Sequence, residues 1–257
     1  MGKVHAFHGA ERKSGVTMLS QSVAEYIAKA FPESEVLFVS LSGRSNIQYL
    51  QEKMPSIDSY RSRMESGIPL SKEDLQKTTY LDNLYIISGI QQEAEARFYM
   101  PELAQRLLSD LRNEFDVIIA DTGSELDNGL AVGCLSTAEK IYLLLSQNEA
   151  DLRRYELLMP LYRRMQIEFS GIVVNKFLER DPYSRSYLKK RLDMREKELY
   201  FVRMASEARR AEMEYRTLLQ MENGYARDIE AVAAAIAEAS GIESKNEKRK
   251  SRWKRFT

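Results

Sequence analysis

Short, continuous apolar runs alternate along the chain with longer segments in which apolar residues recur every three or four positions. Continuous apolar runs are typical of strands in a parallel sheet covered on both faces, because neither side of such a strand meets water. The longer segments have the period of an amphipathic helix. The predicted strands span residues 4–7, 35–41, 83–88, 115–120, 140–145 and 171–175, with a last short strand at 199–202.

Helical segments fill the intervals between these strands. In the first, Leu19, Val23, Ile27 and Ala30 share one face before Pro32 ends the pattern. The predicted helices cover residues 18–31, 46–53, 101–111, 128–136, 150–164, 183–194 and 229–239, and the polar stretch 57–79 is also helix-prone. This alternation predicts an α/β fold, with a doubly wound, mainly parallel sheet and helices on both faces.

The 257 residues suffice for one such domain, which we expect to span residues 1–242. We expect residues 243–257 to be a basic, flexible tail, since they contain seven Lys or Arg against one Glu between positions 245 and 255. The formal net charge is zero, so the charge of the whole molecule favours no particular partner.

Cellular location is indicated by the cysteine count and by the N-terminus. The single cysteine, Cys134, excludes an intramolecular disulfide and suits a reducing compartment. The N-terminus is too polar for a signal peptide, and no apolar run approaches the ~20 residues of a membrane span. We expect a cytoplasmic protein, with peripheral contact at the inner face of the membrane where the tail binds lipid.

The segment after the first strand has the order strand, loop, helix that phosphate-binding proteins use. The N–H groups of such a loop and the positive end of the helix dipole both face the anion. The P-loop pattern G-x-x-x-x-G-K-[ST] falls on residues 10–17, where Gly15 and Thr17 match it while Ala10 and Val16 depart from it. The candidate nucleotide-binding residues here are Gly9, Ala10, Glu11, Arg12, Lys13, Ser14, Gly15, Val16, Thr17 and Met18.

Two more candidates, Asp121 and Asn175, follow later strands. Ligands of doubly wound sheets bind outside the carboxyl ends of the strands, so both residues are expected near the loop. Structural roles are the alternative: Gly15 as a helix-entry glycine, Asp121 as an N-cap and Asn175 as a turn residue.

Longer motifs follow in order along the chain. The stretch Phe115-Asp-Val-Ile-Ile-Ala-Asp-Thr-Gly-Ser-Glu-Leu-Asp-Asn-Gly-Leu-Ala resembles the Walker B and switch II region of the MinD/ParA class of P-loop ATPases. Asp151-Leu-Arg-Arg, Gly171-Ile-Val-Val-Asn-Lys and Ser206-Glu-Ala-Arg-Arg-Ala-Glu resemble later segments of that class. The resemblance covers roughly residues 3–240 and is greatest to the atypical CpaE/TadZ-like members, which serve pilus assembly and polar localisation.

The resemblance implies ATP or ADP with Mg²⁺ as cofactors. Thr17 and Asp121 would then contact the magnesium ion, and Asn175 would contact the base.

Departures from the family pattern imply that this binding is weak or absent. Glu11 stands where the family has its signature lysine, Val16 where it has the P-loop lysine, and Ser40 where it has a switch I acid. Phosphoryl transfer depends on positioned charge, so we predict that the chain is not an efficient ATPase. Lys13 is the residue that could swing in and replace part of the missing charge.

These implications favour a scaffold or localisation factor for a bacterial pilus or secretion machine. Its partners would be protein components of that machine and a second copy of the chain. The alternative is an active MinD/ParA-type ATPase in cell division or in chromosome or plasmid partitioning. A partition role would place the basic tail on DNA, which we favour less than an anionic membrane.

The tail predicts weak, salt-sensitive binding to anionic lipid. Each Lys or Arg near an anionic surface contributes about 1 kcal/mol, and Trp253 and Phe256 would share one face of a helix. We expect anionic liposomes to bind the full chain, but not a chain that ends at Ser244, with a blue shift of Trp253 emission that salt abolishes. Unchanged emission together with tail-dependent DNA binding would show that the tail contacts nucleic acid instead.

Overall fold

One parallel sheet of seven strands organises the computed structural model, which describes residues 1–44, 49–193, 198–221 and 224–242. The strands are β1 Lys3–Gly9, β2 Val36–Ser40, β3 Leu84–Ile87, β4 Val117–Asp121, β5 Lys140–Ser146, β6 Gly171–Phe177 and β7 Leu199–Arg203. Their order is β3-β2-β4-β1-β5-β6-β7, and every pairing between them is parallel. The predicted doubly wound fold is confirmed.

Helices cover both faces of this sheet. Those in the described part of the chain are α1 Val16–Ala30, α2 Arg61–Ser66, α3 Pro101–Leu111, α4 Gly129–Leu135, α5 Glu149–Arg164, α6 Arg185–Leu192, α7 Ala208–Met213 and α8 Tyr225–Ser240. Short 3-10 turns at Ile57–Tyr60, Lys72–Asp74, Glu93–Phe98 and Leu218–Gln220 complete the connections. None of the described helices is long and apolar enough to cross a bilayer.

Successive side chains of each central strand pack into different layers. In β2, Val36 and Phe38 belong to the apolar cluster that α1 and α8 cover, whereas Leu37 and Val39 belong to the cluster under α3 and α4. Every residue of β2 is buried. This burial on both sides explains why the strands appear in the sequence as unbroken apolar runs.

Two predicted helices differ from the structure. The described part of the predicted helix 46–53, residues 49–53, is not helical, and residues 46–48 lie outside the described chain. The stretch 57–79 contains only a 3-10 turn, α2 and another 3-10 turn. Gly67, with a φ of 72°, ends α2, and Pro69 follows it, so the local pattern could not continue as one helix.

The predicted helix 183–194 is shorter in the structure, because Ser184 caps α6 by accepting a hydrogen bond from the N–H of Tyr187. Met194 and the whole tail, residues 243–257, lie outside the described residues.

Strand β1 carries both histidines of the chain into the interior. His5 Nε2 lies 2.8 Å from Ser240 Oγ at the end of α8. His8 lies 3.0 Å from Thr122 Oγ1 through Nδ1 and 3.1 Å from the Tyr162 hydroxyl through Nε2. Burial lowers the pKa of His5 from 6.5 to about 3 and that of His8 to about 4, so both rings are neutral in the folded protein.

These lowered pKa values predict a loss of stability in mild acid. In the unfolded chain both imidazoles titrate near 6.5, so their contribution is fully present above that pH and is lost as the pH falls toward 4. We expect the two together to lower the free energy of unfolding by ~2–4 kcal/mol between about pH 7 and pH 5. Urea titrations across this range measure the change.

The control is the double variant His5→Gln/His8→Gln, which contains no imidazole. Burial raises the pKa of Glu25 and of Asp121, which gives the opposite pH dependence, so the difference between the two proteins isolates the histidines. Equal pH slopes in both proteins would contradict the prediction.

Candidate functional site

The loop between β1 and α1 is fixed at its β1 end by two backbone hydrogen bonds. Gly9 N donates to Gly123 O and Ala10 N to Leu144 O, each at 2.7 Å. Before α1, the backbone enters the left-handed region at Lys13, with φ 61°, and again at Gly15, with φ 92°. A Cβ on Gly15 would lie 2.5 Å from Asn175 Nδ2, so only glycine fits there.

The first turn of α1 faces a small hollow at this edge of the sheet. Gly15 precedes the helix and provides no side-chain cap, so the N–H groups of Val16, Thr17 and Met18 have no partner within the helix. The hollow measures about 190 Å³, below the ≈ 300–1,000 Å³ of most ligand pockets. Its lining consists of Glu11, Lys13, Ser14, Gly15, Val16, Thr17, Met18, Tyr49, Gly123 and Ser124. A phosphate-sized anion fits within this volume.

Val16, the residue at which the resemblance places the P-loop lysine, has a buried apolar side chain. The side chain is 7% exposed and belongs to the apolar cluster beneath α1. A Cβ on Gly9 would lie 2.9 Å from Val16 Cγ2, so the isopropyl group packs against the first residue of the loop. The side chain at position 16 therefore brings no cation to the hollow.

Thr17 and Asp121 are brought together, as expected for a pair that would share a magnesium ion. Thr17 Oγ1 donates to Asp121 Oδ2 at 2.5 Å, and Gly123 N donates to Asp121 Oδ1 at 2.8 Å. Asp121 is fully buried, and this burial raises its pKa although both hydrogen bonds act against the rise. Hydroxyl and carboxylate oxygens are ligands that Mg²⁺ prefers, so the chemistry of the two side chains fits the ion.

Asn175 lies at the loop but is engaged by it. Its Nδ2 donates to Ser14 O at 2.8 Å, and the next side chain, Lys176, donates through Nζ to Lys13 O at 2.5 Å. Two consecutive residues of β6 therefore hold two consecutive carbonyl groups of the loop. The amide nitrogen of Asn175, which the resemblance assigns to a base contact, supports the loop in this structure.

The charged residues of the loop have different surroundings. Glu11 lines the hollow, and its Oε1 accepts a hydrogen bond from Arg12 N at 2.9 Å. The guanidinium of Arg12 turns away to Glu125, with Nε and Oε1 2.5 Å apart. Lys13 is exposed, and its ammonium has no ion-pair partner within the described chain. Lys13 is thus the cation available to an anion in the hollow.

Ser40 ends β2 directly beside Asp121 in the sheet. It is buried, and its Oγ lies 3.5 Å from Ser42 Oγ. The place of the expected switch I acid is therefore occupied by hydroxyl groups, which cannot deprotonate a water molecule as a carboxylate can.

Three residues at this site were missed in the sequence. Glu125 pairs with Arg12, Lys176 holds the loop, and Tyr49 lines the hollow. The dipeptide Asn175-Lys176 at a strand end was a usable signal, whereas the roles of Glu125 and Tyr49 depend on loop conformations that have no local sequence pattern.

No protein-family profile matches this sequence, and no curated protein matches it. Solved structures do match its fold. A ParA family ATPase from Chlorobium tepidum TLS superposes with a TM-score of 0.78 at 16% identity, over 91% of this chain and 98% of the other. The septum site-determining protein MinD of Pyrococcus horikoshii OT3, complexed with Mg-ADP, gives 0.76 at 14% identity, over 95% and 100%.

A third match, the ATP complex of Cyanothece McdA, gives a TM-score of 0.69 at 13% identity, over 95% of this chain and 98% of the other. All three identities are low, and the similarity extends over nearly the whole length of each protein. The chain has the fold of the MinD/ParA family of P-loop ATPases.

Proposed function

We propose that this protein is a scaffold or localisation factor of a bacterial pilus or secretion machine, similar in role to the CpaE/TadZ-like members of the MinD/ParA class. Its nucleotide site is degenerate and binds ATP or ADP with Mg²⁺ weakly or not at all. The partners are protein components of that machine and a second copy of the chain. The basic tail adds contact with an anionic membrane.

The burial of Val16 carries this proposal. Transfer of a phosphoryl group needs positive charge held against the β- and γ-phosphates, because the protein contributes mainly positioning and electrostatic stabilisation. Val16 has no charge to offer at that position. Its side chain is instead packed in the apolar cluster beneath α1. Glu11 adds a negative charge to the lining of the same hollow.

The second candidate function is a working MinD/ParA-type ATPase. The close contact of Thr17 with Asp121 favours it, because both groups stand where a magnesium ion would be bound. Exposed Lys13 is the only loop cation without an ion pair among the described residues, and it would have to act in place of the missing lysine. We favour the scaffold because Ser40 also leaves attacking water without a carboxylate.

A DNA-partition role has less support from the folded domain. Both arginines of α6 are engaged in ion pairs: Arg185 binds Glu179, and Arg191 binds both Glu149 and Glu156. Hydrogen bonds from Arg191 and from Arg153, one helical turn after Glu149, lower the pKa of Glu149 to about 2. This carboxylate therefore stays charged at physiological pH. Paired arginines release few counterions from DNA, which weakens the main source of non-specific affinity.

The proposed function makes a prediction about ATP hydrolysis. We expect phosphate release from Mg-ATP to equal the background, with or without DNA and liposomes. Val16→Lys should tighten nucleotide binding by roughly 10- to 100-fold, the value of a charge-assisted hydrogen bond, while turnover stays low because Ser40 remains. Binding is measured with a fluorescent ATP analogue and turnover by a phosphate assay.

Asp121→Asn provides the background for that assay, since release that persists in this variant comes from a contaminant. A thermal melt checks that Val16→Lys is folded. Turnover by the unmodified chain at the rate of a MinD measured alongside would reject the scaffold role.

The second prediction concerns assembly. The family position that reaches across a nucleotide-bound dimer holds Glu11, which would repel the phosphates of a partner. We expect light scattering to give the same mass with and without Mg-ATP. The double variant Glu11→Lys/Val16→Lys should form more dimer when ATP is added.

Glu11→Gln/Val16→Lys is the matched control, because it removes the negative charge without providing the cation. A shift of the unmodified chain from monomer to dimer on ATP addition alone would contradict this prediction and would point to Lys13 as the bridging residue.

A further inference from the structure

The loop after β2 and the segment after β4 are joined by direct hydrogen bonds. At the strand ends, Leu41 N donates to Asp121 O at 2.7 Å. Further out, Asn128 Nδ2 donates to Ser42 O at 3.2 Å, while Asn128 Oδ1 accepts from Ala131 N at 2.9 Å and caps α4. The single side chain of Asn128 thus holds one loop and starts the helix of the other segment.

Two glycines let these segments approach more closely than other residues would allow. Gly43 has a φ of 67°, and a Cβ there would lie 2.8 Å from Asn128 Cγ. Gly123 has a φ of 60°, and a Cβ there would lie 2.9 Å from Ser42 Cβ. Each glycine therefore meets both conditions that favour the residue, a left-handed backbone and a neighbour in contact.

The segment after β4 is also anchored on its other sides. Gly123 O accepts a hydrogen bond from Gly9 N at 2.7 Å, which joins this segment to the start of the loop between β1 and α1. In α4, a Cβ on Gly129 would lie 2.1 Å from Tyr99 O, and one on Gly133 would lie 2.1 Å from Pro101 O. The backbone of α4 is thus in direct contact with the start of α3, and the helix cannot shift without moving α3.

We propose that residues 40–44 and 121–131 form one ligand-independent unit, here called the two-loop unit, whose outer face keeps the same shape with and without nucleotide. A ligand shifts a conformational equilibrium only as far as its affinity differs between the two states. On the β2 side, Ser40 and Ser42 offer a nucleotide-bound magnesium ion only hydroxyls, and Val16 gives the phosphates no cation. Asp121 is already held by hydrogen bonds from Thr17 and from the N–H of Gly123. The insensitivity of this face to nucleotide and its use by a partner protein rest on the proposed function, whereas the coupling of the two segments rests only on their own contacts.

Hydrogen exchange of the full chain, followed by mass spectrometry, tests the unit. In the protein without nucleotide, peptides that contain Leu41, Thr122 and Ala131 should exchange slowly, because these N–H groups donate to Asp121 O, Phe7 O and Asn128 Oδ1. Their rates should change by less than about twofold when millimolar Mg-ATP is added.

Gly43→Ala should open the unit. The new methyl group meets Asn128 in a left-handed backbone, and we expect exchange to become about tenfold faster in both segments. Gly241→Ala is the matched control: Gly241 has a φ of 70°, but nothing lies within 4 Å of its Cβ position, so the effect should stay at the end of α8.

Asn128→Asp is a second variant for the case in which Gly43→Ala does not fold. Aspartate still caps α4 by accepting from the backbone, but it loses the donor to Ser42 O. It should also speed exchange in both segments, while peptides from β5 and β6 keep their rates.

The inference is overturned by any of three results: fast exchange in the unmodified protein, added protection on Mg-ATP, or a variant effect confined to the mutated segment. ATP turnover with unchanged exchange would reject the proposed function and leave the two-loop unit intact. Added protection on Mg-ATP without turnover would reject the two-loop unit and leave the proposed scaffold role intact.

Discussion

The arrangement of the loops at the carboxyl edge of the sheet depends on the hydrogen bonds of one buried carboxylate, that of Asp121. It accepts hydrogen bonds from Thr17 at the start of α1 and from the backbone of Gly123. The residue also pairs in the sheet with Phe7 on one side and Ser40 on the other. A buried carboxylate is costly unless it is hydrogen-bonded, and each such bond offsets about 1.5–3 kcal/mol. The entry of α1 and the ends of β1, β2 and β4 are therefore fixed together.

This shared anchor is one of several contacts within the protein that hold the loop between β1 and α1 in its form. The form depends on backbone turns at Lys13 and Gly15 and on the hydrogen bonds from Asn175 and Lys176, none of which needs a lysine at position 16. A buried valine side chain contributes roughly 1.5–3 kcal/mol of hydrophobic stabilisation. The side chain at position 16 therefore contributes to core packing beneath α1.

Backbone strain also indicates that the protein itself holds the loop in its form. Lys13 and Lys176 are both left-handed, a conformation that costs residues with a side chain about 1–2 kcal/mol. Such residues persist only where the surrounding structure holds them. Here the Lys176 ammonium binds the Lys13 carbonyl, so each strained residue helps to hold the other. The loop is thereby shaped in advance by β6, and an anion would enter a formed cradle.

The sequence by itself determined the fold class and the edge at which the site lies. Hydrophobic runs and helical periods specify strands and helices locally, and parallel strands place all of their carboxyl ends at one edge. The contact of Thr17 with Asp121 follows from that topology. Only the tertiary structure decided that Val16 is buried, that Arg12 turns to Glu125, and that Asn175 supports the loop.

The helix-prone stretch 57–79 shows the limit of local pattern. Its polar, helix-prone composition is compatible with one long helix, but Gly67 ends α2, and Lys77 pairs with Tyr85 beside β3. Pairing of this kind, like that of Arg12 with Glu125 or of Asn175 with Ser14, joins residues that only the packed sheet brings together. The periodicity of the chain therefore determined where the site lies, and long-range packing decided which side chains face it.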